Sequence, residues 1–170
     1  MDGTLTSRAK IVAFYGIKSG EGDSATTTYH RMQGFTSLST SKNPKEYTRQ
    51  YVDEEFEQTD VVGYSPSIAY TFDRYDGNAV HEDIARITNG ELTGNAALVD
   101  ILVVDTTDTL SSGGCSAVKR TYAVIPDSEG DSMDAYTYSG SFKVKGDKVN
   151  GSATLGENGM TATFSEVAGA

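Results

Sequence analysis

The rhythm of apolar and polar positions changes several times along the chain, and its most regular stretch runs from Asn43 to Tyr75. In the second half of that stretch Val62, Tyr64, Pro66, Ile68, Tyr70 and Phe72 fall on one parity, and Gly63, Ser65, Ser67, Ala69, Thr71 and Asp73 on the other. A period of two over this length predicts a strand with one apolar face and one face of small or polar groups. The first half differs. Lys45, Tyr47, Arg49, Tyr51 and Asp53 share one parity, while Glu46, Thr48, Gln50 and Val52 share the other. Neither face suits an ordinary core, so this strand is expected to lie against another molecule or along one side of a charged channel. Residues 53–61, which join the halves, read as a long acidic hairpin loop that cannot pack by itself.

Elsewhere the pattern is shorter. Residues 1–27 are rich in Gly, Ser, Thr and charge around one apolar island, Ile11 to Ile17, and read as an N-terminal arm or edge strand, with Ser19 to Ser24 as a loop. Thr28 to Thr40 reads as the first core strand, with a bulge beside Gly34. One helix is predicted. Asn78 is its N-cap, Val80, Ile84 and Ile87 form an apolar stripe, and Asn89-Gly90 supplies a left-handed stop. Leu98 to Asp105 is almost wholly apolar and should be buried on both faces. Thr106 to Gly114 reads as a polar loop, Ala117 to Ile125 as a strand ended by Pro126, and Asp127 to Asp134 as an acidic loop. Tyr136, Tyr138, Phe142 and Val144 then alternate with Thr137, Ser139, Ser141 and Lys143. Gly146-Asp147 fits a tight hairpin turn, and two further alternating runs complete a three-stranded meander. The count is about eight strands and one helix, a mainly β chain forming a β-sandwich or barrel with a flanking α-helix. With no repeats and no linker, residues 1–170 read as one domain.

Composition narrows the function. The chain has 170 residues, enough to bury about 70% of its unfolded surface. Its single cysteine, Cys115, excludes an internal disulfide framework or a thiolate zinc cluster. The N-terminal residues lack a secretory apolar region, and no apolar run approaches membrane-spanning length, so synthesis and assembly in a cytoplasm are expected. Lys plus Arg is 14 against 24 Asp plus Glu, a formal charge of −10, which argues against a surface that grips phosphates. The ten tyrosines supply large contact areas with a polar tip.

Catalytic patterns fall away on inspection. His81-Glu82 starts like a zincin helix, but position 85 is Ala85, so the second metal ligand is missing. His30 has no Cys or His partner nearby, and Cys115 lacks a flanking nucleophile motif. Asp127, Glu129, Asp131 and Asp134 could hold calcium, yet Ser132 and Tyr138 stand where an EF-hand loop needs Gly and Glu. Asn150-Gly151-Ser152 matches a glycosylation sequon in a chain with no expected secretory route. No phosphate loop or dinucleotide fingerprint is present. No catalytic residue, metal or cofactor is therefore expected, and a surface for mutual interaction explains the polar strand faces better.

Three segments carry a resemblance: Asn43 through Tyr51, Gly63 to Tyr75 (GYSPSIAYTFDRY) and Asn78 to Thr88 (NAVHEDIARIT). In their order of strand, acidic loop, strand, helix and apolar strand, residues 35–165 resemble the major tail (tail tube) proteins of bacteriophages of Gram-positive bacteria. The resemblance implies a structural virion protein of the tail, forming stacked hexameric rings whose lumen lets DNA reach the host without binding it. It also implies a tape measure protein and tail terminator and initiator proteins as partners, and no membrane. Asp53, Ser67, Thr71 and Asp73 are the candidates for the lumen wall. Tyr47, Tyr51 and Tyr64 are candidate interface anchors, Arg49 a candidate ring-to-ring ion pair, and Glu54, Glu55 and Glu57 the bridging loop. Two alternatives remain open at this level: an inner-tube protein of a contractile tail-like particle or secretion system, and a monomeric or trimeric adhesion domain on a virion surface.

Overall fold

The computed structural model describes residues 3–20, 25–111, 113–130 and 133–167; Glu21–Ser24 of the expected loop, and Ser112, Asp131 and Ser132, lie outside them. Eleven strands and one α-helix are found among the described residues. They are β1 (Ile11–Ser19), β2 (Thr26–Arg31), β3 (Phe35–Ser41), β4 (Pro44–Arg49), β5 (Gln58–Tyr64), β6 (Ser67–Asp73), α1 (Ala79–Asn89), β7 (Leu98–Thr109), β8 (Cys115–Glu129), β9 (Thr137–Val144), β10 (Val149–Leu155) and β11 (Thr161–Glu166). Six strands close into a barrel in the order β10-β11-β2-β1-β7-β8, sealed by pairing of β8 with β10. From β8 the sheet continues outward as β9-β6-β3, while β4 and β5 form a separate two-stranded ribbon.

Parity explains the two cores. On β1 and β7, Val12, Phe14, Leu102 and Val104 point into the barrel, where they meet Tyr29, Ala117, Ala153 and Ala162. The opposite parity, Tyr15, Val99 and Ile101, packs outside the barrel against Val80, Ile84 and Ile87 of α1 and against Ile68, Tyr70, Phe72, Tyr138 and Phe142 of the outward sheet. Leu98–Asp105 is thus buried on both faces as its composition predicts. The helix fills the angle between barrel and outward sheet, tied by the Tyr15 hydroxyl, which donates to Asp83 at 2.8 Å. Asn78 caps it, its Oδ1 accepting from the backbone N–H groups of Val80 and His81.

Several expectations need correction. The island Ile11–Ile17 is no arm or edge: β1 pairs with β2 on one side and β7 on the other, and Phe14 and Tyr15 are fully buried. Its Gly-, Ser- and charge-rich flanks hid that role. Thr28–Thr40 is two strands, broken at Met32–Gly34, where Gly34 takes a φ of 73°. The helix stop is Glu91 at φ 46°, since Gly90 keeps an αR conformation. β7 and β8 extend beyond their apolar runs, β8 passing through Pro126 with a register shift before Ser128. The alternation from Val62 to Phe72 is not one strand: it breaks at Ser65-Pro66, and Pro66, Ile68, Tyr70 and Phe72 are buried whereas Val62 and Tyr64 are exposed.

The largest departure concerns Gly146-Asp147. β9 and β10 do not pair with each other. Both run antiparallel along the same edge of β8, β9 against Tyr122–Glu129 and β10 against Cys115–Lys119. Residues between them step aside at Thr121, whose carbonyl accepts from the N–H groups of Lys145 and Gly146. The kink lets one line of chain leave the outward sheet and enter the barrel, so of the expected meander only the β10–β11 hairpin forms.

Candidate assembly surface

The outward sheet β3-β6-β9-β8 has a core face and a face carrying small side chains. Register sets the second face in rows: Ser41, Ser67, Lys143 and Ala123; Ser39, Ala69, Ser141 and Ile125; Ser37, Thr71, Ser139 and Ser128; and then Asp73 beside Thr137. The rows follow because residues directly opposite across a ladder share a side. Every second residue of β6 and β9 faces the core, all of them aromatic or aliphatic except Gly140, which leaves the serines and threonines outside. Lys143 is the one cation in these rows. Hydroxyls bond among themselves and to Asp73: Thr137 donates to Asp73 at 3.1 Å, and Ser128 and Ser139 lie 2.7 Å apart.

Both lateral edges of this sheet are open among the described residues. β3 has β6 on one side and no strand on the other. Pro126–Glu129 of β8 extends past the start of β7, whose Leu98 pairs with Ala123, and so lacks a neighbour opposite β9. Proline, which has no N–H to donate, suits an edge of this kind.

The ribbon β4–β5 continues the β3–β6 pair: Ser41 faces Ser67, and Pro44 faces Tyr64. The joint is Asn43, at φ 45°, whose side-chain amide donates to the Ser65 carbonyl at 3.0 Å and to the Ser67 hydroxyl at 3.1 Å. A register shift between Lys45 and Glu46 leaves Val62 without an opposite residue. The parity that joins Val62 and Tyr64 to the core residues of β6 is therefore lost before the joint. Beyond it, every apolar side chain stands in the open: Tyr47, Tyr51, Val52, Phe56, Val61, Val62 and Tyr64 are all exposed. Arg49 is engaged within its own ribbon, 2.7 Å from Asp60 and donating at 2.7 Å to the Tyr51 hydroxyl, with its guanidinium over the Tyr47 and Tyr51 rings.

The residues singled out from sequence thus fall into two groups. Ser67, Thr71 and Asp73 lie side by side on the small-residue face. Asp53 is elsewhere, with Glu54, Glu55 and Glu57 in the segment joining β4 to β5, where Glu54 accepts from Gln58 at 2.7 Å. Tyr47, Arg49 and Tyr64 belong to the ribbon, and Tyr51 to the segment that joins its strands. Sequence reasoning missed Ser37, Ser39 and Ser41. Their signal was an alternation of serine with Leu38 and Thr40, too weakly apolar to mark a face. Among the described residues no cluster of His, Cys, Asp and Glu could hold a metal ion, and no helix is long and apolar enough to cross a membrane.

The architecture has a counterpart. Over 85% of its length the chain is similar to 97% of a chain in the tail of an empty GTA particle solved by helical refinement in C6 symmetry, at 11% identity and a TM-score of 0.57. The chain has a tail protein's fold. It also aligns, over 88% of its length, with 97% of a chain in the six-fold symmetrised baseplate of the anti-feeding prophage, at 8% identity and a TM-score of 0.46, a likeness too slight to carry weight. No protein-family model matches the chain, and no curated protein does.

Proposed function

We propose that the chain is a structural protein of a phage-like tail, polymerising as six-membered rings stacked into a hollow tube through which DNA leaves the virion. The observation that carries this reading is the outward sheet: a small-hydroxyl face bounded by two open edges. A sheet ending in unpaired edges is a hazard for a monomer and an assembly device for a ring. Pairing the β3 edge of one copy with the Pro126–Glu129 edge of the next is a heterologous contact, and rotation closes it into a wall whose ends stay free to stack.

The small-residue face is then the lumen. Serine and threonine hydroxyls offer phosphates no counter-charge and Asp73 repels them, so with Lys143 as the one cation in its rows the face gives DNA little of the ion release that drives phosphate binding. Ser67, Thr71 and Asp73 belong to that wall, while Asp53 goes with Glu54, Glu55 and Glu57 to the ribbon that reaches a neighbour through Tyr47, Tyr51 and Tyr64. A tape measure protein and terminator and initiator proteins would occupy the tube and its ends. On this reading the protein is assembled in the host cytoplasm and has no catalytic role.

Electron microscopy of the purified full chain across a concentration series tests the proposal. Hollow tubes or six-fold rings are the expected result. Discrete small particles at every concentration would overturn it in favour of an adhesion domain.

A further inference from the structure

The two ends of the outward sheet carry opposite charge. At one end β3 finishes and β6 begins; there Lys143 stands in a row with Ser41, Ser67 and Ala123, and Lys42 follows Ser41 in the chain. The kink after β9 lies at this end too. It sets Lys145 at Thr121, next to Arg120 in β8, and Lys148 just before β10. At the other end β6 finishes at Asp73 and Asp76 follows, while Asp127, Glu129 and Asp134 lie where the chain turns from β8 to β9. The exceptions are few. Asp147 and Asp100 lie at the basic end, Asp100 accepting from the Thr121 hydroxyl at 2.5 Å, and Arg74 lies at the acidic end, 3.6 Å from Asp76. A chain of net charge −10 has thus sorted its cations and anions along the strand direction.

The basic end also holds an unfilled cavity. It measures about 230 Å³ and is lined by Tyr64, Arg120, Val144, Lys145, Gly146 and Asp147. It opens because β9 stops at Val144, whose N–H donates to the Pro66 carbonyl, and the chain then steps aside into the barrel. Beyond that point β5 pairs with β4 alone, so no strand fills the line that β9 has left. Arg120 Nε is buried and has no hydrogen-bond partner among the described residues. The ion pairs among those residues are Arg49 with Asp60, Arg74 with Asp76 and Arg86 with Asp83, so neither Arg120 nor Lys145 has a carboxylate of its own. A buried charged donor without an acceptor is costly, which marks this end as completed from outside the chain.

We infer that the acidic end of one copy seats on the basic end of a second, its carboxylates supplying the acceptors that Arg120 and Lys145 lack. A ring closed by pairing β3 with Pro126–Glu129 uses the sides of the sheet, so the two charged ends become its upper and lower faces. Opposite charges then meet only when every ring points the same way; a reversed ring would set cation on cation or carboxylate on carboxylate. Guanidinium suits this contact because it grips a carboxylate through two parallel bonds. The inference rests on the tube reading and specifies which groups hold successive rings together and what fixes their common direction.

Charge-reversed chains decide it. One carries Lys145→Glu with Lys148→Glu, which makes both ends acidic; a second carries Asp76→Lys with Asp134→Lys, which makes both basic. All four side chains are exposed, and none lies in the edges that close the ring. Each chain alone is expected to give six-membered rings without tubes, and an equal mixture to give tubes in which the two alternate. Unaltered protein should need at least about tenfold more chain to form tubes when salt rises from about 0.1 M to about 1 M, because the screening length falls from about 10 Å to about 3 Å. Reversed chains that each build tubes at the original threshold would overturn the inference and leave the tube reading standing. So would a mixture that yields only rings, or a threshold indifferent to salt. An unaltered chain that never forms rings or tubes overturns both. Independently, Arg120→Met removes an unpaired buried donor, so it should leave the monomer at least as stable while raising the threshold at least about tenfold; an unchanged threshold counts against the contact.

Discussion

Gly140 lies directly opposite Tyr70 on the core face of the outward sheet, and the tyrosine ring fills the space a side chain at 140 would need. A Cβ there would stand 2.6 Å from the Tyr70 hydroxyl oxygen and 2.5 Å from the Ile125 carbonyl oxygen. The ring is hemmed by Phe142, tilted against it at 4.6 Å between centroids, and by Phe72, stacked at 6.1 Å. Gly140→Ala should therefore cost about 1–3 kcal/mol, read as a lower urea midpoint at unchanged slope. Among the described residues the buried Tyr70 hydroxyl has no partner, and burial pushes its pKa up. Tyr70→Phe should accordingly be neutral or stabilising, and should relieve part of the Gly140→Ala penalty.

His81 supplies a second test. It is fully buried and stacked on Phe72, its Nε2 lies 2.8 Å from the Gln33 carbonyl, and its Nδ1 accepts from the Tyr75 N–H at 3.1 Å. The ring thus pins the β2–β3 break and the entry to α1, and it does so as a neutral imidazole. Burial lowers its pKa from 6.5. A folded-state pKa below the unfolded one means that the His81 contribution is complete above about pH 6.5 and is lost as pH falls toward the folded value. Unfolding free energy should decline from pH 7.5 to about 5.5. In His81→Gln it should be lower at pH 7.5 and flatter over that interval; an equal slope in both proteins would exclude His81 as the source.

Charge reversal probes the proposed lumen wall. Asp73 sits at the margin of the small-residue face with Thr137 as its hydrogen-bond donor. On the proposed tube reading, Asp73→Lys should leave tubes intact under the microscope and slow DNA release, and added salt should restore the rate because screening weakens phosphate attraction. Unchanged release kinetics would remove Asp73 from the lumen.

Local pattern was a reliable guide wherever one segment's own neighbours decide the outcome. The Asn78 cap and the Val80, Ile84 and Ile87 stripe made a helix because both depend on residues a few positions apart. Leu98–Asp105 declared its double burial by composition. Alternation around Ile68, Tyr70 and Phe72, and around Tyr138 and Phe142, separated a core face from a polar one. Alternation failed where a single residue shifted the count: the unpaired Val62 and the joint at Ser65-Pro66 turned an apparent long strand into a core strand and an exposed ribbon.

Side-chain chemistry by itself determined that the chain is mainly β, that its strands carry one apolar and one small-residue face, and that its helix spans the residues it does. Tertiary structure alone decided that Ile11–Ile17 runs through the middle of the sheet, that β9 and β10 share an edge of β8, and that Ser37, Ser39 and Ser41 stand in line with Ser67 and Thr71. The physical reason is range. Period and capping are set within a few residues along the chain, whereas a strand's neighbours are chosen by burial across the whole molecule. The same serine reads alike in sequence whether it faces open solvent or forms part of a wall.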